Sequence, residues 1–218
     1  MRELPLFPLN SVLFPGLALH LHIFEERYKR MIEYCIAQDQ SFGVVLIKRG
    51  MEASGPLAEP HSIGCSARIH NIQKLDQGKM NIIIIGEERF KILDIDQISH
   101  PYLLGRIAPF PMRSVFSEGE EVLNSQLMDL SRQYIQILEK AGEVQIDAKN
   151  LPTDPVQLNY LMAAILQIPQ MEKQELLNLE YAYDFNSRLK DIYRREIALL
   201  NSLLVKQGPN SQGMFSLN

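Results

Sequence analysis

The chain has 218 residues, a net charge of -4 and 46% hydrophobic residues, enough for a substantial core in one large or two small domains. Its longest wholly apolar runs, such as Ile82 to Ile85, are far too short to span a bilayer. The acidic balance, without a basic block, argues against non-specific binding to a phosphate backbone, and two cysteines support neither a disulfide scaffold nor a zinc knuckle.

The opening MRELPLFPLN lacks a continuous apolar signal core, which predicts a cytoplasmic location. Pro5 and Pro8 make the entry irregular and extended, and Pro15-Gly16 marks a turn. A strand follows from Leu17 to Ile23, with Leu17, Leu19, Leu21 and Ile23 on one face and Ala18, His20 and His22 on the other. The period then becomes helical. Phe24, Tyr28, Met31, Ile32, Cys35 and Ile36 form an apolar stripe among charged residues, so core packing is expected for Phe24 and Tyr28. Cys35 and Cys65 read as buried, reduced, inert thiols.

Phe42 to Ile47 suits a buried strand, and Lys48 to Ser62 reads as a long loop. Within that loop Met51, Pro56 and Leu57 are apolar residues with no periodic element to bury them. If exposed together they form an adaptable patch for polypeptide. Ile63, Cys65, Ala67 and Ile69 alternate as a half-buried strand, and Asp76-Gln77-Gly78 closes a hairpin onto Met80 to Ile85. Another alternating strand follows Gly86 through Phe90, Ile92 and Ile95, and Leu103 to Phe110 supplies one more before Pro109 and Pro111. Strands joined by turns after one early helix favour a mostly antiparallel, barrel-like sheet.

Beyond Ser114 the pattern is helical. Ser117-Glu118-Gly119-Glu120 is a capping-box pattern, followed by an apolar line from Leu123 to Ala141 that ends at Gly142. Asp154-Pro155 starts a second helix stopped by Pro169, a short one runs from about 172 to 180, and Asp184 caps a long one to about Lys206. These helices read as a bundle. The expected fold class is therefore α+β, with a β domain over 1–115, a helical domain over 116–206 and a flexible tail over 207–218.

LPLFPLNSVLFPG followed by HIFEERYKRMI resembles the opening of the Lon protease N-terminal, substrate-binding domain, which also occurs in stand-alone proteins. GCSARIHNIQKLDQGKMNIIIIGEERFKILDI is similar to that family's hairpin, with Gly64, Gly86, Arg89 and Phe90 at its marked positions. The aspartate-proline helix start, EKQELLNLE and RLKDIYRREI extend the likeness, so it runs from about Leu4 to about Leu200. Glu26 stands where the family often has proline. The resemblance implies a PUA-like pseudo-barrel and a module that binds unfolded or hydrophobic polypeptide, and it admits a protease or chaperone on another chain as a second partner. A PUA-like small-molecule or RNA-binding role is the alternative, because fold does not fix function.

The chemistry of the full protease is not readable here. A phosphate-binding loop needs G-x-x-x-x-G-K-[ST], yet at the only glycine-lysine pair, Gly78-Lys79, Gln73 occupies the first glycine's place. A stand-alone, non-enzymatic domain is thus the expectation, with no catalytic, cofactor or metal residues assigned and no membrane partner. Nucleic acid is disfavoured, and oligomeric state is left open. His20 and His22 share a face but have no third ligand at recognisable spacing, so exposed or hydrogen-bonded histidines are expected. Glu25, Arg27 and Arg89 read as one cluster, either an ion-pair network holding helix to sheet or a ligand contact.

Overall fold

The computed structural model describes residues 2–53, 55–114, 119–140, 152 and 154–206. Its strands are β1 (Arg2–Leu9), β2 (Ala18–Ile23), β3 (Phe42–Arg49), β4 (Glu59–Pro60), β5 (Ile63–Lys74), β6 (Met80–Asp96) and β7 (Leu103–Pro109). Its helices are α1 (Glu26–Ala37), α2 (Glu120–Lys140), α3 (Pro155–Ile165), α4 (Gln170–Asn178) and α5 (Ala182–Lys206). The class is α+β, as expected.

All strands belong to one sheet ordered β1-β7-β6-β5-β3-β4, with β2 beside β6. A parallel pairing of β1 with β3, the last strand but one of this path, closes β1, β7, β6, β5 and β3 into a ring, and the other ladders are antiparallel. Two strands change partner along their length. β6 pairs β2 over Met80–Ile85 and β7 over Phe90–Asp96, while β5 runs along its other side. β1 pairs β7 over Arg2–Leu6 and β3 over Leu6–Leu9.

Three expectations are corrected by these ladders. The proline-rich entry is a regular strand rather than irregular chain. Each half of β1 has a partner on one flank only, so Pro5 and Pro8 have an unpaired flank where a missing N–H is harmless. The two strands expected either side of Gly86 are one 17-residue strand. A Cβ on Gly86 would lie 2.5 Å from the Phe14 carbonyl oxygen and 3.1 Å from Cys65 Sγ, so glycine lets the 14–17 loop lie directly on the strand. The loop of Lys48 to Ser62 also contains a strand, the two-residue β4 paired with β3.

The hydrophobic pattern fills the space inside. α1 buries Tyr28, Met31, Ile32 and Cys35 against Phe7, Leu9, Ile23, Phe42, Cys65, Met80, Ile82 and Ile84. Leu17, Leu19 and Leu21 pack onto this core as the alternation predicted, while Ala18, His20 and His22 are exposed. A second cluster gathers Leu4, Leu6, Val45, Phe90, Leu103 and Ile107.

The chain divides into two compact units, Met1–Arg113 with Pro152–Glu180, and Ser114–Leu151 with Tyr181–Asn218. This differs from a helical domain running unbroken over 116–206, because α3 and α4 pack with the sheet. Asp154 caps α3 by accepting from the Gln157 N–H at 2.8 Å, as its sequence predicts. Tyr160 of α3 then stacks on Phe14 at 5.8 Å, and Gln170 and Gln174 of α4 bond the Val12 N–H and the Ile63 carbonyl. Those backbone partners are invisible to hydrophobic periodicity. α4 also begins earlier than expected, with Pro169 at its cap, and α5 starts at Ala182, which puts Asp184 in the first turn.

In the second unit α2 and α5 pair side by side. Asn186 donates to Asn124 at 2.8 Å and Tyr134 meets Tyr193 edge to face at 5.3 Å, so the two helices run in the same direction. The capping box at Ser117, the helix end at Gly142 and the tail over 207–218 lie outside the described residues.

Replacing Gly86 by alanine should destabilise the protein by about 1–3 kcal/mol, since the added methyl group must displace backbone rather than a flexible side chain. Urea unfolding of the purified variant measures this.

Candidate functional site

Three places in the sheet-containing unit gather groups that could form a site, two of them carrying residues singled out by the sequence. The first is the start of α1. Glu25 and Arg27 pair at 2.8 Å, largely out of solvent, and the Arg27 guanidinium lies 4.9 Å from the Tyr28 ring centroid. Arg27 also donates to the Gly55 carbonyl at 3.0 Å, and Glu52 accepts from the Asn10 N–H at 2.9 Å. These two bonds pin the long loop to α1 and to the end of β1.

Met51, Pro56 and Leu57 sit in that loop with unequal exposure. Met51 is 58% exposed and Pro56 is exposed, whereas Leu57 is half-buried against the second core cluster. Phe24 is also corrected: it lies before the helix begins, is 45% exposed and stacks on His22 at 5.8 Å. Tyr28 is buried as expected.

Arg89 does not join Glu25 and Arg27. β6 carries it, only 2% exposed, to the C-terminus of α4, where it donates to the carbonyls of Leu177 at 2.8 Å and Leu179 at 2.5 Å. Its guanidinium lies 4.9 Å from the Phe110 ring centroid and also meets Met112 Sδ. Burial lowers its pKa, but a guanidinium stays charged, and the partial negative charge at a helix C-terminus compensates it. The Arg89 Nε is buried without a partner, a cost the helix-end contacts outweigh. A cavity of about 280 Å³ lies alongside, lined by Arg89, Gln157, Tyr160 and Met112 among others. Glu87 and Glu88 line it as well, but Arg89 is already committed to α4 and acts as a fastener.

The third place was not anticipated. A groove of about 580 Å³ runs between α1 and the β5–β6 hairpin, lined by Ile36, Ala37, Ile72, Leu75 and Met80, with Glu33, Lys74 and Lys79 around it. Ile36 belongs to the expected apolar stripe yet is 43% exposed, because it faces this groove near the end of the helix. Ile72 breaks the alternation of Ile63, Cys65, Ala67 and Ile69, and the register shift between Ile69 and Asn71 accounts for it. That break in phase is the sequence signal for the groove.

Among the described residues no three histidine, cysteine or acidic side chains come together as a metal cluster. His20 and His22 are exposed, and His22 Nδ1 is 2.7 Å from Asn81 Oδ1. Burial pushes the Cys35 thiol up to about 12 and the Cys65 thiol still higher, so both are poor nucleophiles near neutrality. No described helix is long and apolar enough to cross a membrane.

A closed mixed sheet flanked by helices, offering an apolar groove with a charged rim, is the build of a binding module. Comparison with known proteins agrees. The model of the ATP-dependent protease La (LON) substrate-binding domain matches residues 3–194, and the chain belongs to that family. A Lon protease of Anaeromyxobacter dehalogenans is 31% identical over 206 residues, covering 91% of this chain and 24% of the relative. Lon protease 2 of Myxococcus xanthus is 29% identical over 208 residues, 92% of this chain and 25% of the relative. The chain therefore spans about a quarter of the length of these relatives. Among solved structures, the N-terminal domain of Mycobacterium avium complex Lon protease superposes with TM-score 0.65 at 17% identity, covering 88% of this chain and 98% of that one. A Lon N-terminal domain protein from Xanthomonas campestris gives 0.61 at 22%, with 88% and 97% covered.

Arg89→Met should cost about 3 kcal/mol in urea unfolding, since it leaves two α4 carbonyls without their charged donor. With a colorimetric thiol reagent at pH 8, the native protein should react slowly and both cysteines should react promptly once it is unfolded.

Proposed function

We propose that the chain is a non-enzymatic recognition module that holds unfolded or hydrophobic segments of polypeptide, for a protease or chaperone on another chain to act upon. The observation that carries this reading is the groove between α1 and the β5–β6 hairpin. Ile36 and Ile72 are exposed there, at 43% and 36%, over a floor that includes buried Met80, whose flexible thioether adapts to varied side chains. Lys74 and Lys79 at the rim, with Glu33 across from them, leave an apolar trough with polar ends rather than a continuous basic track. That arrangement favours apolar peptide over nucleic acid, whose binding needs stacked aromatics along a cationic groove. Met51 adds a second exposed apolar contact on the long loop.

The relatives are named as proteases, and the matched part is described as their substrate-binding domain. Binding of clients and hand-over to a separate protease follow here as a proposal from that likeness.

The test uses retention of a denatured, fluorescently labelled model protein. Ile36→Asp with Ile72→Asp places two charges in the groove at positions already exposed, so the fold should persist while affinity falls by at least about tenfold, equivalent to ~1.4 kcal/mol. Met51→Ser should weaken binding about two- to threefold, a loss of under about 1 kcal/mol for one partly exposed side chain. Unchanged retention by the double variant, or retention of RNA with a steep salt dependence, would overturn the reading.

A further inference from the structure

β2 is paired on one side only. Its six residues match β6 from Ala18 opposite Ile85 to Ile23 opposite Met80, and among the described residues no strand occupies its other edge. In an antiparallel ladder alternate residues turn both N–H and C=O away from the partner, so three residues of β2 offer these groups outward. Three guards against edge pairing are absent: Ala-Leu-His-Leu-His-Ile contains no proline or lysine, and its register against β6 is unbroken by a bulge. The end of β1 is guarded by contrast, because Pro8 has no N–H to give and the Asn10 N–H is taken by the Glu52 carboxylate.

Beside the open edge is a cavity of about 130 Å³ lined by Leu21, Ile23, Phe24 and Tyr28, with Glu25 and Glu52 at its wall. Arg27 pairs with Glu25, while the bond from Asn10 to Glu52 brings no cation. The Glu52 carboxylate, held by a neutral backbone N–H, gives this wall a negative charge that favours a cationic residue. The open edge supplies the backbone donors and acceptors that an extended chain needs.

We propose that β2 takes up an extended, proline-free polypeptide segment as an added strand, with an apolar side chain in the cavity beside Leu21 and a lysine or arginine against Glu52. This rests on the polypeptide-binding reading above and adds to it a backbone contact, distinct from the side-chain groove at Ile36 and Ile72. Strand addition gives affinity through main-chain bonds and specificity through every second side chain.

The experiment measures binding of a ten-residue peptide of alternating leucine and threonine with one terminal lysine to the full chain, by fluorescence anisotropy at low salt. A series methylated at one backbone amide each should show period two, every second methylation weakening binding about five- to tenfold. Replacing the lysine by glutamate should weaken binding to the wild type, and Glu52→Gln, which keeps an acceptor for Asn10, should erase that preference. A flat methylation series with binding still abolished by Ile36→Asp and Ile72→Asp would sink the added strand and leave the groove reading intact. Failure of the unmodified peptide and of denatured protein to bind would remove both. Concentration-dependent dimers that peptide does not dissociate would assign the edge to a second copy of the chain and overturn the proposal.

Discussion

The mutual hydrogen bonding of Gly86 with the loop before β2 is the constraint from which the sheet unfolds outward. Gly16 donates to the Gly86 carbonyl at 2.8 Å, and Gly86 donates to the Leu17 carbonyl at 2.9 Å. These bonds fix where the chain enters β2, and with it the register that sets Leu19 and Leu21 toward the core and the histidines toward solvent. They also mark the point on β6 between its β2 partner and its β7 partner. Entry angle, register and the launch of α1 from Ile23 therefore follow from one close backbone approach that no side chain could share.

Arg89 plays the corresponding role between sheet and helix. Three residues after Gly86, it turns inward to the end of α4 and satisfies two carbonyls that a helix terminus leaves orphaned. Gln174, fully buried on the same helix, donates to the Ile63 carbonyl and to the Asn178 side chain. Arg113 extends the fastening by donating its N–H to the Glu180 carbonyl and pairing with the Glu180 carboxylate. α4 is thus held by polar bonds to specific backbone atoms as much as by apolar burial. Its attachment to the sheet is correspondingly specific.

Much of this was legible from residue order. Alternation located β2 and β5, helical spacing located α1, and Asp154-Pro155 located the start of α3 to the residue, although that helix ends at Ile165 rather than at Pro169. The likeness in LPLFPLNSVLFPG and in the hairpin points to the family whose model matches residues 3–194. What stayed hidden depended on tertiary partners. β1 reads as irregular until one sees that two strands share it, and the sheet unit's claim on α3 and α4 is made by glutamines and one arginine whose acceptors are carbonyls. Charge pattern groups Arg89 with Glu25 and Arg27, whereas its partners are carbonyls at a helix end that no charge pattern records. The groove at Ile36 and Ile72 was half visible, since one residue falls on a helix stripe near its end and the other is out of phase after a register shift.

The order of elements has a further consequence for dissection of the molecule. The chain leaves the sheet unit after Arg113, returns at Pro152 and leaves again after Glu180, so the segment that completes the first unit is encoded beyond α2. A fragment ended near residue 115 retains every strand and keeps Arg89, yet deprives that cation of the two α4 carbonyls to which it donates. The natural severable piece is therefore not an N-terminal half, and a proteolytic nick within 141–151 preserves the sheet unit's own parts only while both fragments stay together.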